Sequence, residues 1–375
     1  MVVSTTLAAQ TQGQTRRPFR NPCTTQENSF DKIARATGGQ PFRMVPGEVD
    51  KTGAVMEAKL LHDIDVFYAS GAVRLGERRV FQVPVDSTIA SAAFSVTMPC
   101  KQSIVVVRPS GEAVGAAGGP GIKDTHLAGA RIVVAARPET GTWQVLVAGQ
   151  GNYSVSVRAK TPLFLSNFQL VRPGGRPGHE GLFPIEGQPL ARDQTARAQM
   201  SGPFRSVRFV AVSEAGEVIG PLALAPTAER QEFLGRVTLP AVPFRVAAEG
   251  EDERGLPYRR IEPGVREVKT IEITPATRLT EVRPGMIVRV MFHLRNNGAP
   301  GTFRIQMAWV GRNFVKTPAA TRVTVGTGEV AEIEADVDVP PEAEPGADVL
   351  VTVSATRTTP PREENAASLA LTVVR

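Results

Sequence analysis

The scarcest reactive side chains in this 375-residue sequence are four histidines (His62, His126, His179, His293) and two cysteines (Cys23, Cys100). His126 follows Asp124 by two positions, a spacing that can start an acid–base or metal pair. A metal needs a third ligand and none stands nearby, so a loop histidine beside an aspartate by chance is the competing reading. His293 sits in MFHLRNNG between Phe292 and Leu294, so it points away from them and is expected to be exposed or partly covered. His62 and His179 read as loop residues with nothing to activate them. The cysteines carry no metal or redox spacing. An even count of two fits one disulfide, Cys23 to Cys100, and equally fits two unrelated buried thiols.

Nucleophilic and phosphate chemistry find no motif. There is no Gly-x-Ser-x-Gly elbow, and the glycine-rich GAAGGPG lacks a following Lys-Ser or Lys-Thr. No catalytic, cofactor or metal residue is assigned. Acidic clusters occur at Asp63 with Asp65, at Glu249–Glu253 (EGEDE), and at Glu332, Glu334, Asp336 and Asp338. The last set alternates with Ile333, Ala335, Val337 and Val339, as the solvent face of a strand does, and its charge would discourage edge-to-edge pairing. EGEDE precedes Arg254-Gly255; the two readings are a calcium loop and a solvated turn, and the ligand ladder of an EF-type site is absent. Arg172, Arg176 and His179 in RPGGRPGHEG make a small basic loop, read either as an anion or glycan contact or as an ordinary inter-strand loop.

The elements that must carry these residues are β-strands. Gly (35) and Pro (30) are abundant, as turn-rich β chains require. The formal charge of +6 is a small surplus of 43 basic over 37 acidic residues spread along the chain, which argues against a nucleic-acid partner. No apolar run reaches the roughly 20 residues of a membrane-spanning helix. Residues 1–27 read as a tail without structure. Thr6–Gln10 resembles the end of a secretory signal, although the basic and fully apolar regions of one are missing.

Helical signal is confined to residues 28–65. Asn28-Ser29 can cap a helix through Phe30, Ile33 and Ala34, and a second amphipathic run follows Pro46-Gly47 as far as His62. From Val66 the period changes to two. The stretch from Pro138 to Ala159 reads as a β-hairpin: Trp143, Val145 and Val147 alternate, Gly149–Asn152 turns, and Tyr153, Val155 and Val157 alternate back. Three β-sandwich modules are expected, at 66–160, 161–264 and 265–375, with Thr161-Pro162 and Glu262-Pro263-Gly264 as joints. Trp143 and Trp309 are their expected aromatic anchors, and Gly115–Gly121 reads as a long loop. Asn296-Asn297-Gly298 is a turn between two strands.

The order of these motifs resembles the region that follows the von Willebrand factor A-type domain in hemicentin-like extracellular matrix proteins and their bacterial relatives. FDKIARATGGQPFRM after Cys23 resembles the close of the A-type domain, and GEVDKTGAVMEAKLL its last helix. VPVDSTIASAAFSVT, SIVVVRPSGEAV, THLAGARIVVAARPETGTWQVLVAGQGNYSVSV and FRVAAEGEDERGLPYRRIEP follow in that family's order. The likeness covers about residues 23–265; the last module resembles a common immunoglobulin-like adhesion fold. The Asp-x-Ser-x-Ser metal-ion-dependent adhesion motif is absent, so no metal residue carries over. The helices are then either a remnant without their parent sheet or a pair packed on the first module, stapled by Cys23 and Cys100.

Together these readings imply a mainly β chain of tandem antiparallel, Ig-like β-sandwich modules with a short helical N-terminal segment. The expected role is a non-catalytic secreted or cell-surface spacer, adhesion or matrix-interaction element. Its partner would be a protein or a glycan met through loops or strand edges. A carbohydrate- or calcium-binding accessory module is the alternative. An enzyme with a site between modules is the third reading, and it would need a pocket joining Asp124, His126 and a third polar group.

Overall fold

The computed structural model describes residues 29–37, 39–98, 102–115, 118–185, 188–311, 315–316 and 321–375. Two short helices open the described chain. Helix α1 (Ser29–Ala36) has Asp31 in its first turn, where a carboxylate favours the exposed N–H groups, and Thr37 closes it by donating to the Ile33 carbonyl at 2.8 Å. A 3-10 turn (Pro46–Lys51) runs into α2 (Thr52–Leu60), which buries Val55 and Ala58. Those two side chains, with Phe42, form a small core with Ala93, Leu127, Ala130 and Ile132 of the strands beneath. The helical segment is therefore docked on the first sandwich. Cys23 and Cys100, and with them the bridge, lie outside the described residues.

Eight strands build that sandwich: β1 (Ile64–Val73), β2 (Arg78–Val85), β3 (Ser91–Thr97), β4 (Gln102–Val107), β5 (Ile122–Leu127), β6 (Ala130–Ala136), β7 (Gly141–Gly149) and β8 (Gly151–Lys160). One sheet runs β1-β8-β3-β6-β5 and the other β2-β7-β4. Trp143 is fully buried and stacks on Phe94 at 4.9 Å, while Phe81 meets both Phe67 and Tyr153 at 5.6 Å. The hairpin expected at 138–159 is not one. Strands β7 and β8 lie in different sheets, and the chain arches between them over Gly149 and Gly151, whose φ values of 148° and 115° suit glycine. An arch and a hairpin give the same alternation, because in both cases the inward side chains reach one core.

The second sandwich comprises β9 (Phe164–Gly174), β10 (Gly181–Pro184), β11 (Asp193–Ser201), β12 (Ser206–Val212), β13 (Val218–Leu222), β14 (Ala225–Pro226), β15 (Glu232–Thr238), β16 (Arg245–Glu251) and β17 (Pro257–Ile261). Its sheets are β10-β9-β11-β15-β14 and β13-β12-β16-β17, with Phe209 edge-on to Phe233 at 5.2 Å between them. The two sandwiches form one compact unit, made of the described residues up to 185 together with 194–266.

The remaining residues, 186–193 with 267–375, form a second unit. Its strands are β18 (Ile271–Pro275), β19 (Glu281–Val282), β20 (Ile287–Asn296), β21 (Gly301–Gly311), β22 (Val315–Lys316), β23 (Thr321–Val325), β24 (Val330–Asp338), β25 (Asp348–Arg357) and β26 (Glu364–Val373). Sheets β18-β20-β24-β22 and β19-β26-β25-β21-β23 enclose an aliphatic core around Phe292 and Phe303; the β19–β26 pair is parallel. Trp309 is merely half-buried at its margin, so the expected anchor role falls to the two phenylalanines. Asn296-Asn297-Gly298 joins β20 to β21, strands of opposite sheets, and buried Asn296 holds the corner by donating to the Ala299 and Val325 carbonyls. Strand β24 pairs with β20 along its whole length and, on its other side, with the two residues of β22 at Val337 and Asp336.

Candidate functional site

Asp124 and His126 do come together. Both stand on β5, which the sequence reading treated as loop, and the i, i+2 spacing puts them on one face. His126 Nε2 lies 3.2 Å from Asp124 Oδ2, and the third polar group is Arg131 of β6. Arg131 donates through Nη2 at 2.7 Å and Nε at 3.2 Å to the two oxygens of the same carboxylate. It also donates to the Ile104 and Val114 carbonyls at 2.6 and 2.8 Å. The Asp124 side chain is wholly buried whereas His126 is half exposed. This carboxylate is committed to a buried bidentate arginine that fixes the loop after β4; the imidazole is an accessory to it.

The EGEDE cluster runs into a turn, closed by the Gly255 N–H donating to the Asp252 carbonyl at 3.0 Å, with Glu251 and Glu253 exposed, but Asp252 itself is not solvated. Asp252 is fully buried and accepts four hydrogen bonds: from Ser87 N–H at 2.9 Å and Oγ–H at 2.5 Å, and from the Arg254 and Leu256 N–H groups at 2.9 Å each. Burial alone would raise its pKa, but these donors outweigh it and hold the carboxyl below the ordinary range. Next to it the reciprocal contact runs the other way. Asp86, at the end of β2, receives Arg260 Nη2 of β17 at 2.8 Å, both side chains being shut off from solvent. Arg260 Nε donates to the Leu163 carbonyl at 2.6 Å, and Nη2 also reaches the Thr88 and Thr161 hydroxyls at 3.1 and 3.3 Å. Burial lowers the Arg260 pKa and the Asp86 charge works against that loss. One aspartate from each sandwich thus anchors in the other, around the Thr161-Pro162 joint.

Where this interface opens, a groove of about 600 Å³ is lined by Gln82 and Pro84 of β2 and by Arg208, Glu249, Tyr258 and Arg259. Arg208, Glu249 and Arg259 are direct cross-strand neighbours. Glu249 accepts from Arg208 Nη2 at 3.0 Å and Arg259 Nε at 2.6 Å, and the Arg259 guanidinium lies over Phe67. Further along, Arg245 covers the Tyr68 ring at 3.9 Å, and Ser70 N–H donates to the Glu214 carbonyl at 2.7 Å. The polar groups here close the joint.

Beneath α2 lies a second buried set. Arg158 donates to the Lys59 and Asp63 carbonyls at 3.2 and 2.8 Å, satisfying carbonyls at the helix end, and its Nε lies 3.3 Å from Asp65. Burial lowers the Lys59 pKa to about 8 and raises that of Asp65. His62, read as a loop residue, is buried, and that burial lowers its pKa while the nearby Glu57 and Ala58 carbonyls work against the loss.

Of the other sequence candidates, His293 is partly exposed and faces Glu332 across β20 and β24 at 3.9 Å. Asp63 is exposed. Arg172, Arg176 and His179 lie on the exposed β9–β10 hairpin. Among the described residues no group of three histidine, cysteine or acidic side chains is placed to hold a metal. Sequence reasoning missed Asp86, Arg131 and Arg260. Asp86 and Arg131 stand as charged residues inside the apolar runs VPVDSTIA and AGARIVVAA, whereas Arg260, in PYRRIEP, carries no such mark.

A tandem of β-sandwiches whose buried charges join modules is the class of protein these features define. Comparison with known proteins agrees. Residues 66–162 match the hemicentin galactose-binding domain-like family, and residues 270–375 match the VWA7 Ig-like domain family. The chain is similar to von Willebrand factor A domain-containing protein 7 of Mus musculus, 26% identical over 373 residues, covering 92% of this chain and 40% of that protein. The Rattus norvegicus and Homo sapiens proteins of the same name are 28% and 27% identical, each over 58% of this chain and 26% of their own length. The chain thus spans less than half the length of the curated relatives it matches. No helix among the described residues is long and apolar enough to cross a membrane.

Proposed function

We propose that this protein is a non-catalytic, extracellular structural element, in which the first two sandwiches act as one stiff spacer in an adhesion or matrix assembly. The observation that carries this reading is the reciprocal joint: Asp86 with Arg260, and Asp252 with Ser87. Two modules linked only by a Pro-containing segment would pivot, and buried charge pairs at the pivot oppose that because each opening strands an ion. The matched families are non-catalytic modules, and Asp124 and Glu249 are both held by arginine. The modules expected at 66–160, 161–264 and 265–375 are kept as the working division. A carbohydrate-binding accessory role is the second reading, favoured by the galactose-binding domain-like match over 66–162.

Stiffness is measurable within the first unit. With Cys23 and Cys100 replaced by serine and spin labels at Q150C and V218C, the distance distribution should be narrow and should broaden in R260A. Equal widths in the two proteins would remove the spacer reading.

A further inference from the structure

The β9–β10 hairpin is the part of the first unit that packing does not explain. Strand β11 pairs with β9 only as far as Val171, and beyond it the two strands continue alone. All ten residues from Arg172 to Gly181 are exposed. The sequence still specifies this arm closely. Arg176-Pro177-Gly178-His179 is a type II turn: the His179 N–H donates to the Arg176 carbonyl at 2.8 Å, and Gly178 has φ of 81° at the third position. Gly175 has φ of 104°, and a Cβ there would stand 2.1 Å from the His179 oxygen. Both positions demand glycine, so the arm is a built feature.

Its face carries a ring and a charge. Phe183 is 45% exposed and pairs directly with Arg172 across the hairpin, so both project on the same side. The ring lies against the backbone of Gly174 and Gly181, since Cβ atoms built there fall 3.2 and 3.8 Å from it. Two glycines thus seat an aromatic platform that is supported from below and open above. Arg172 and Arg176 make no ion pair among the described residues, and the exposed Glu180 carboxylate accepts the Gly178 N–H at 3.1 Å.

We propose that this arm binds an acidic polysaccharide, with a sugar ring stacked on Phe183 and its carboxylate or sulfate groups paired with Arg172 and Arg176. A supported, exposed aromatic face takes the apolar C–H face of a pyranose, and guanidinium forks take planar anions two bonds at a time. Charge complementarity chooses an acidic over a neutral sugar. The assignment rests on the extracellular reading only for where such a ligand is met, and the binding assay is independent of the module joint.

The test titrates short heparin and hyaluronan oligosaccharides into the full chain at low ionic strength, with neutral dextran oligomers and oligo-dT as comparators. Both acidic sugars should bind, more weakly as salt rises. R172A/R176A and F183A should each lose about tenfold or more in affinity, a loss of about 1.4 kcal/mol. F183Y should retain binding because the platform remains. Failure of the acidic sugars to bind, binding unchanged in both variants, or dextran bound as tightly would overturn the proposal. Oligo-dT bound as tightly through the same residues would overturn it in favour of a nucleic-acid surface.

Discussion

At the scale of single residues, the buried charges govern stability. Truncating one partner of the Asp86–Arg260 pair leaves the other ion without compensation, so R260A should cost about 3–5 kcal/mol in urea unfolding. Replacing both partners with apolar residues should cost less than the two single changes summed. Asp124 and His126 should separate in the same way. D124A, which strands Arg131, should destabilise by more than about 2 kcal/mol, while H126A should change stability by less than about 0.5 kcal/mol. Lys59 gives the pH dependence. Its folded pKa of about 8 lies below its unfolded value, so the unfolded chain binds more protons between them. Stability from this residue is full above the unfolded value and is lost as pH falls toward 8. Between pH 8 and 9.5, wild-type stability should therefore rise relative to K59M; parallel profiles would refute the burial of this ammonium. The sequence showed Asp124 and His126 because they are neighbours. It hid Arg260 from Asp86 because they are 174 residues apart, and no local pattern encodes a pair formed by folding.

At the scale of elements, alternation located the strands at Trp143–Val147 and Tyr153–Val157 but did not reveal their partners. Trp143, Val145 and Val147 point inward whether the next strand turns back in the same sheet or crosses to the other. Strand β5 escaped because the face that begins with Ile122 continues with Asp124 and a half-exposed His126 in place of apolar side chains. The helices were legible from their caps and spacing, whereas their docking depends on Val55 and Ala58 meeting Leu127, Ala130 and Ile132. V55D should therefore free that segment without unfolding the sheet. Hydrogen exchange in V55D should accelerate across residues 52–60 while β3 and β8 keep their protection; equal loss in both would show the segment to be integral to the sandwich.

At the scale of the whole molecule, the sequence reading places joints at Thr161 and near Pro263, and the compact units add one exchange that it did not include. The segment 186–193 belongs with the last sandwich, where Leu190 bridges to Lys269 and Arg192 pairs with Glu272 at 2.7 Å. Nothing in its composition marks that exchange. The first two sandwiches share buried carboxylates, which makes them partners in stability. Partners of this kind should open together. Native-state hydrogen exchange of the full chain with rising denaturant tests it most directly, by comparing the slowest amides of β3 and β8 with those of β12 and β16. Both sets should share one opening free energy and one denaturant slope, and R260A should lower that free energy for both. Separate free energies in the wild type, or an R260A effect confined to one sandwich, would contradict this.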